Sequence, residues 1–220
     1  MAESFPRPPP SASIPSAAVA TQISLERQRF QYLRKLHSTR GSMFANSVVV
    51  DDAFMEAYSS KAPEALTNSF YCLALSVATA RTQAKTSRGL LVALEQALEE
   101  LAFKDAGAAQ KMVKLASASV ISRESESPGL LKANGSIVYQ TLQLPTVPFR
   151  LSHARVTVAL LGHLDAAYKL LEDEVLDASS FEALVRIDHH VKVLVVGPVL
   201  RLLQEVAVAT IHAEMATLRS

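Results

Sequence analysis

The sequence is poor in the residues that most often announce a chemistry. Its single cysteine, Cys72, excludes an internal disulfide and a cysteine-based metal site, and reads as a small apolar core residue. Seven glycines in 220 residues leave little material for a phosphate-cradling loop, and no P-loop, dinucleotide fingerprint or Gly-x-Ser-x-Gly elbow is present. Charge of one sign is lacking as well. Against 22 basic residues stand 21 acidic ones, so the net charge of +1 gives no basic footprint for wrapping nucleic acid by charge alone. Such binding needs a local cluster, or many subunits each contributing little. No apolar run approaches the roughly 18 residues that a membrane span needs. The N-terminus carries Glu3 and several prolines and no signal-peptide core, so the expectation is cytosolic residence and no membrane partner.

What the chain does have is apolar substance. Hydrophobic residues make up 49%, enough for a substantial core in one domain of ordinary size. Residues 1–22, with Pro6, Pro8, Pro9, Pro10 and Pro15 among Ser and Ala, read as a mobile arm. Residues 23–37, with Leu25, Phe30, Leu33 and Leu36 among Arg and Lys, read as a short basic amphipathic helix. Arm and helix together form a first unit, 1–45, ahead of a helical domain, 46–220.

In that domain Asp51 and Asp52 offer an N-cap for a helix over 53–60, and Ala62-Pro63-Glu64 opens the next. Leu66, Phe70, Leu73 and Val77 form its inner face, and Leu91, Leu94, Leu98 and Leu101 that of a helix over 89–103. Residues 105–122 are a further helix candidate, 125–136 a loop by composition, and 137–144 a short strand. Two long helices follow, 152–176 and 179–217, the second with Pro198 inside it, which should kink it or open one turn. The predicted fold is all-α, a four-helix bundle with short irregular or minor β connections and an N-terminal arm.

Catalytic constellations are missing. His189 and His190 are adjacent, so on a helix their side chains diverge by about 100° and cannot share a metal. His163 and His212 stand alone on mainly apolar helices. No enzyme is expected. Two polar features exceed what a plain bundle needs. One is the junction from Thr82 to Arg88, which includes Gln83 and Lys85 and also suits a solvated turn. The other joins Asp165, Lys169, Arg186 and Asp188 across an acidic turn, Glu172-Asp173-Glu174, and also suits an ordinary ion-paired surface.

These same stretches resemble the coat proteins of tobacco-mosaic-type rod-shaped viruses. The segment from Val158 to Asp165, Val-Ala-Leu-Leu-Gly-His-Leu-Asp, is similar to the family's Thr-Ala-Leu-Leu-Gly-x-Phe-Asp. Counted on without a gap, Lys169 falls where the family has an RNA-facing arginine, and Glu172 and Glu174 on its paired inner-loop glutamates. Arg186-Ile187-Asp188 looks like the family's Arg-Val-Asp, and Cys72 followed by Thr82-Gln83 matches its cysteine and Thr-Gln spacing. The resemblance covers residues 64–104 and 145–207. It departs at Ala167 and His189, where the family has an arginine and an aspartate, and in the residues before 45 and in 105–140.

The resemblance implies a capsid protein that assembles helically with many copies of itself around single-stranded RNA. It places the protein in the virion, and in the host cytoplasm during assembly. Lys85 or Arg88, Lys169 and Arg186 would then meet phosphates, with Asp165 in the same groove and Asp188 orienting Arg186 or meeting a ribose hydroxyl. Glu172, Glu174 and Glu182, stacked against their own copies, would repel unless protonated or bridged by calcium at Glu172 and Glu174. No other cofactor is implied. A cellular α-helical scaffold or adaptor protein stays open beside it, since four amphipathic helices and a Pro-rich arm suffice for that.

Overall fold

The computed structural model describes residues 16–117, 119–120, 129–133, 136–172 and 176–218. Helices dominate: α1 Ser16–Ser38, α2 Asp52–Lys61, α3 Glu64–Gln83, α4 Ser87–Lys104, α5 Ala108–Ser117, α6 His153–Glu172, α7 Ala178–Val191 and α8 Gly197–Thr217. A hairpin, β1 Ser42–Phe44 with β2 Val48–Val50, joins α1 to α2. A small sheet of β3 Ser119–Val120, β4 Leu131–Ala133 and β5 Ser136–Val138 follows α5, β3 lying parallel and β5 antiparallel to β4.

Local signals place several elements where the sequence puts them. Asp51 caps α2 by accepting from Phe54 N at 2.7 Å. Pro63 precedes the first turn of α3, and Thr86 caps α4 by accepting from Gly89 N at 3.1 Å. Phe70, Leu73, Val77, Leu91, Leu94, Leu98 and Leu101 are buried, and Cys72 is too. The proline in the last long helix acts one turn upstream. Pro198 has no N–H to give, and the ladder widens to a π turn over Lys192–Val196, where Gly197 N bonds to Lys192 O.

The N-terminal expectation needs correction. Helix α1 begins at Ser16, so 16–22 belong to it; residues 1–15 lie outside those described. Val19, Ile23, Phe30, Leu33 and Leu36 are buried in the same core as the later helices, and a boundary at residue 45 does not divide that core. Leu25, expected inside, is 53% exposed. Helix α1 lies along α6, with the Phe30 and Tyr168 rings edge to face at 5.3 Å. An amphipathic stripe says that a helix buries one side, and not how much of the domain core rests on it.

Helix directions follow from side-chain pairs. Thr67 and Arg81 of α3 reach His153 and His163 of α6, so these two run parallel. Glu95 and Glu99 of α4 meet Arg186 and His190 of α7, which are parallel in turn. With the short turn from α3 to α4, α6 and α7 are antiparallel. Their backbones do not pack closely: α6 lies between α1 and α3, and α7 lies on α4. Residues 178–217 form one continuous rod. Its apolar stretch is long enough to cross a membrane by length and composition, although no uninterrupted apolar run suggested it, and 39% of that stretch is buried within the fold.

The irregular segment 139–143 is held by a buried carboxylate. Glu100, 0% exposed, accepts from Gln140 N at 2.7 Å, Thr141 N at 3.1 Å and Leu142 N at 2.6 Å. Gln96 braces it, donating to Glu100 Oε1 at 2.7 Å while gripping both backbone atoms of Gly129. Of the loop expected over 125–136, 131–133 form a strand; 121–128 and 134–135 lie outside the described residues. The strand expected over 137–144 shortens to Ser136–Val138.

Candidate nucleic-acid interface

One end of the molecule collects the α3–α4 turn, the last turn of α6 and the start of α7. Lys85 on that turn, Arg88 in the first turn of α4 and Lys169 on α6 are exposed, and none of them makes a hydrogen bond or ion pair among the described residues. A shallow recess lined by Arg81, Lys85, Thr86, Ser87, Leu90 and Leu170 joins the turn to α6. Asp177 caps α7 by accepting from Ser180 N at 2.8 Å. Hydrogen bonds from Ser180 and Ser179 hold its carboxyl below the usual range, and Arg88 adds to this, which sets Arg88 beside the start of α7.

Arg81 faces inward from the same turn. Its Nη1 lies 3.2 Å from His163 Nδ1, and a guanidinium can only donate, so Nδ1 is the bare acceptor nitrogen. Burial and the Arg81 charge both push His163 below its ordinary value.

The other expected contact residues are engaged within the fold. Asp165 accepts from Arg27 Nε at 3.0 Å and from Gln31 Nε2 at 3.1 Å, and Glu172 pairs with the same Arg27. Arg186 donates through Nε to Glu95 Oε1 at 2.5 Å, and this bond raises its already high pKa. Asp188 requires the largest correction. It is 2% exposed and accepts from Tyr168 Oη at 2.5 Å and Gln22 Nε2 at 2.6 Å. Burial pushes its carboxyl pKa up. It neither orients Arg186 nor reaches a ribose from there. Two residues apart on a helix means about 200° apart, so Arg186 and Asp188 face opposite sides.

The carboxylates expected to meet across subunits lie apart within the single chain where they are described. Glu172 is drawn to α1, Glu182 is exposed on α7, and Glu174 lies outside the described residues. Among the described residues no three His, Cys, Asp or Glu side chains are placed to hold a metal. Sequence reasoning missed Arg27, Gln31 and Arg34, which meet Asp165 from α1. Their spacing of four and three residues puts them on one helix face, a signal that was available. No protein-family model matches the chain, and no curated protein or solved structure matches it either.

Proposed function

We propose that the chain is a structural coat protein that polymerises helically around single-stranded RNA into a rod-shaped particle. Helices α3, α4, α6 and α7, with α1 laid along α6, make up the helical bundle of its subunit. The observation that carries the reading is the set Lys85, Arg88 and Lys169. Three exposed cations gather at one end of the helices; none makes an ion pair among the described residues, and Arg88 does no more than add to the pull on the exposed Asp177 carboxyl. A net charge of +1 suits a polymer, because each subunit then has to neutralise only a few phosphates. The likeness of residues 158–165 to the coat-protein segment supports the same reading.

Arg186, Asp165 and Asp188 take no direct part in this version of the groove; they hold the wall behind it. The test mixes purified chain with single-stranded RNA, then applies negative-stain microscopy and nuclease. Rods containing protected RNA are expected. A discrete oligomer that leaves RNA digestible would decide for the cellular scaffold instead.

A further inference from the structure

At the opposite end of the molecule, polar atoms are buried without partners. The last turn of α1, α2, the first turn of α3 and the start of α6 meet around His37, Tyr58, His153 and Thr157, which are 5%, 0%, 2% and 0% exposed. The Tyr58 ring lies 4.9 Å from that of His37 and 5.3 Å from that of His153, and Phe70 stacks on His153 at 5.5 Å. His37 Nε2, Tyr58 Oη, His153 Nε2 and Thr157 Oγ1 are all shut off from solvent, and none has a hydrogen-bond partner among the described residues. Native interiors rarely leave one such atom unpaired, and four in one place ask for a cause.

The proton positions can be derived. His37 Nδ1 is 2.7 Å from Leu33 O, and a carbonyl only accepts, so Nδ1 carries the proton and Nε2 is a bare lone pair. Thr67 Oγ1 donates to Pro63 O at 3.3 Å, so at 2.9 Å it accepts from His153 Nδ1. His153 Nε2 is then a bare lone pair too. Burial keeps both rings neutral, His153 being pushed down to about 4, and no carboxylate among the described residues pairs with either. Tyr58 Oη points toward Thr157, close enough for the hydroxyl to ease the phenol pKa that burial has raised. If these two hydroxyls bonded to each other, one proton would serve both and at least one imidazole would go without a donor.

The junction therefore holds two acceptors that need protons and two hydroxyls that can give them. A water molecule has the complementary set, two protons and two lone pairs. We infer that these four groups form a binding site for one buried water, which donates to His37 Nε2 and His153 Nε2 and accepts from Tyr58 Oη and Thr157 Oγ1. Through it α1, α2 and α6 share a single joint. The inference is independent of RNA binding and holds for a coat subunit and for a scaffold alike.

Two measurements on the full chain test it. Long-range proton–nitrogen NMR at neutral pH should find both imidazoles protonated on Nδ1, with Nε2 shifted as a hydrogen-bonded acceptor. A crystal structure with ordered solvent should show one density peak within bonding distance of all four atoms. A proton on Nε2 of either ring, or a junction closed without solvent, overturns the site. Tyr58→Phe separates the cases by sign. It lowers the melting temperature if the hydroxyl bonds to a bound water, and raises it if the hydroxyl is an unpaired buried group.

Discussion

Ala45 sits at φ 49° in the β1–β2 turn, with Asn46 beside it at 55°. Both lie in the left-handed region at the two centre positions of the turn that Ser47 N closes onto Phe44 O, and alanine has a Cβ that crowds the carbonyl there. Ala45→Gly should stabilise the fold by about 1 kcal/mol in denaturant unfolding, and no gain would mean that the turn is relaxed otherwise. Asp188 makes a pH-dependent prediction. Its pKa is raised in the fold, so between 3.8 and that raised value the native state holds a proton that the unfolded chain has lost. Stability therefore falls as pH rises through this window. Asp188→Asn keeps an acceptor for Tyr168 and should flatten the fall; an unchanged pH profile would count against burial as its cause. Arg186→Ala now carries a structural expectation. It leaves Glu95, only 5% exposed, without its guanidinium, and should destabilise the subunit by on the order of 1 to 2 kcal/mol.

At the scale of elements, acid should act first on α2. Its Tyr58 is clamped between His37 and His153, while Arg40, Asp52, Glu56 and Arg155 line the open recess beside His37 and none of them pairs with either ring. The unfolded chain takes up a proton on His153 near 6.5 and the native one only near 4, so stability is lost as pH falls across that interval. Hydrogen exchange at pH 7 and 4.5 should show α2 amides losing protection before those of α4; equal loss in both would refute the clamp. Glu100→Ala should free 139–143, costing roughly 3 kcal/mol or more, since three backbone amides lose their acceptor together. These elements also show what a linear reading can reach. The starts of α2 and α3 and the opening near Pro198 were legible because cap and proline rules act over a few residues. The Glu100 strut was not, because its partners lie some forty positions away and a buried glutamate looks like any other on a helix. The hairpin was missed because its turn is Ala-Asn rather than Asn-Gly. At the candidate interface Lys85, Arg88 and Lys169 are exposed, as the resemblance requires of contact residues, while Asp188, taken with Arg186 as one contact pair, is buried on the other side of α7, a difference of helical angle that a matched tripeptide does not show.

For the whole molecule, the cations at one end and the histidine junction at the other predict separable behaviour. Changing Lys85, Arg88 and Lys169 together to Ala should leave the unfolding midpoint nearly unchanged, since what Arg88 gives the exposed Asp177 is a solvent-screened attraction. It should reduce the salt dependence of RNA binding by about 0.7 in log–log slope per contact removed. An unaltered slope would count against these three cations as the phosphate contacts of the proposed particle.

The widened turn at Lys192–Val196 also sets the phase of the last helix. Leu184, Ile187 and Val191 ahead of it and Val199, Leu203 and Val206 behind it all enter one core. In an unbroken α-helix, at about 100° per residue, those two triplets would point roughly 90° apart. One surplus residue in the wide turn takes up about that angle, so it works as a vernier that brings two mismatched registers into line. Removing a single residue from 192–196 would take out that surplus: the rod would straighten to plain α-helix and Val199, Leu203 and Val206 would keep facing the core. Adding a residue to the straightened rod downstream of Val191 would instead swing all three out by about 100° unless a wide turn opened again, while every residue of α8 itself remained intact.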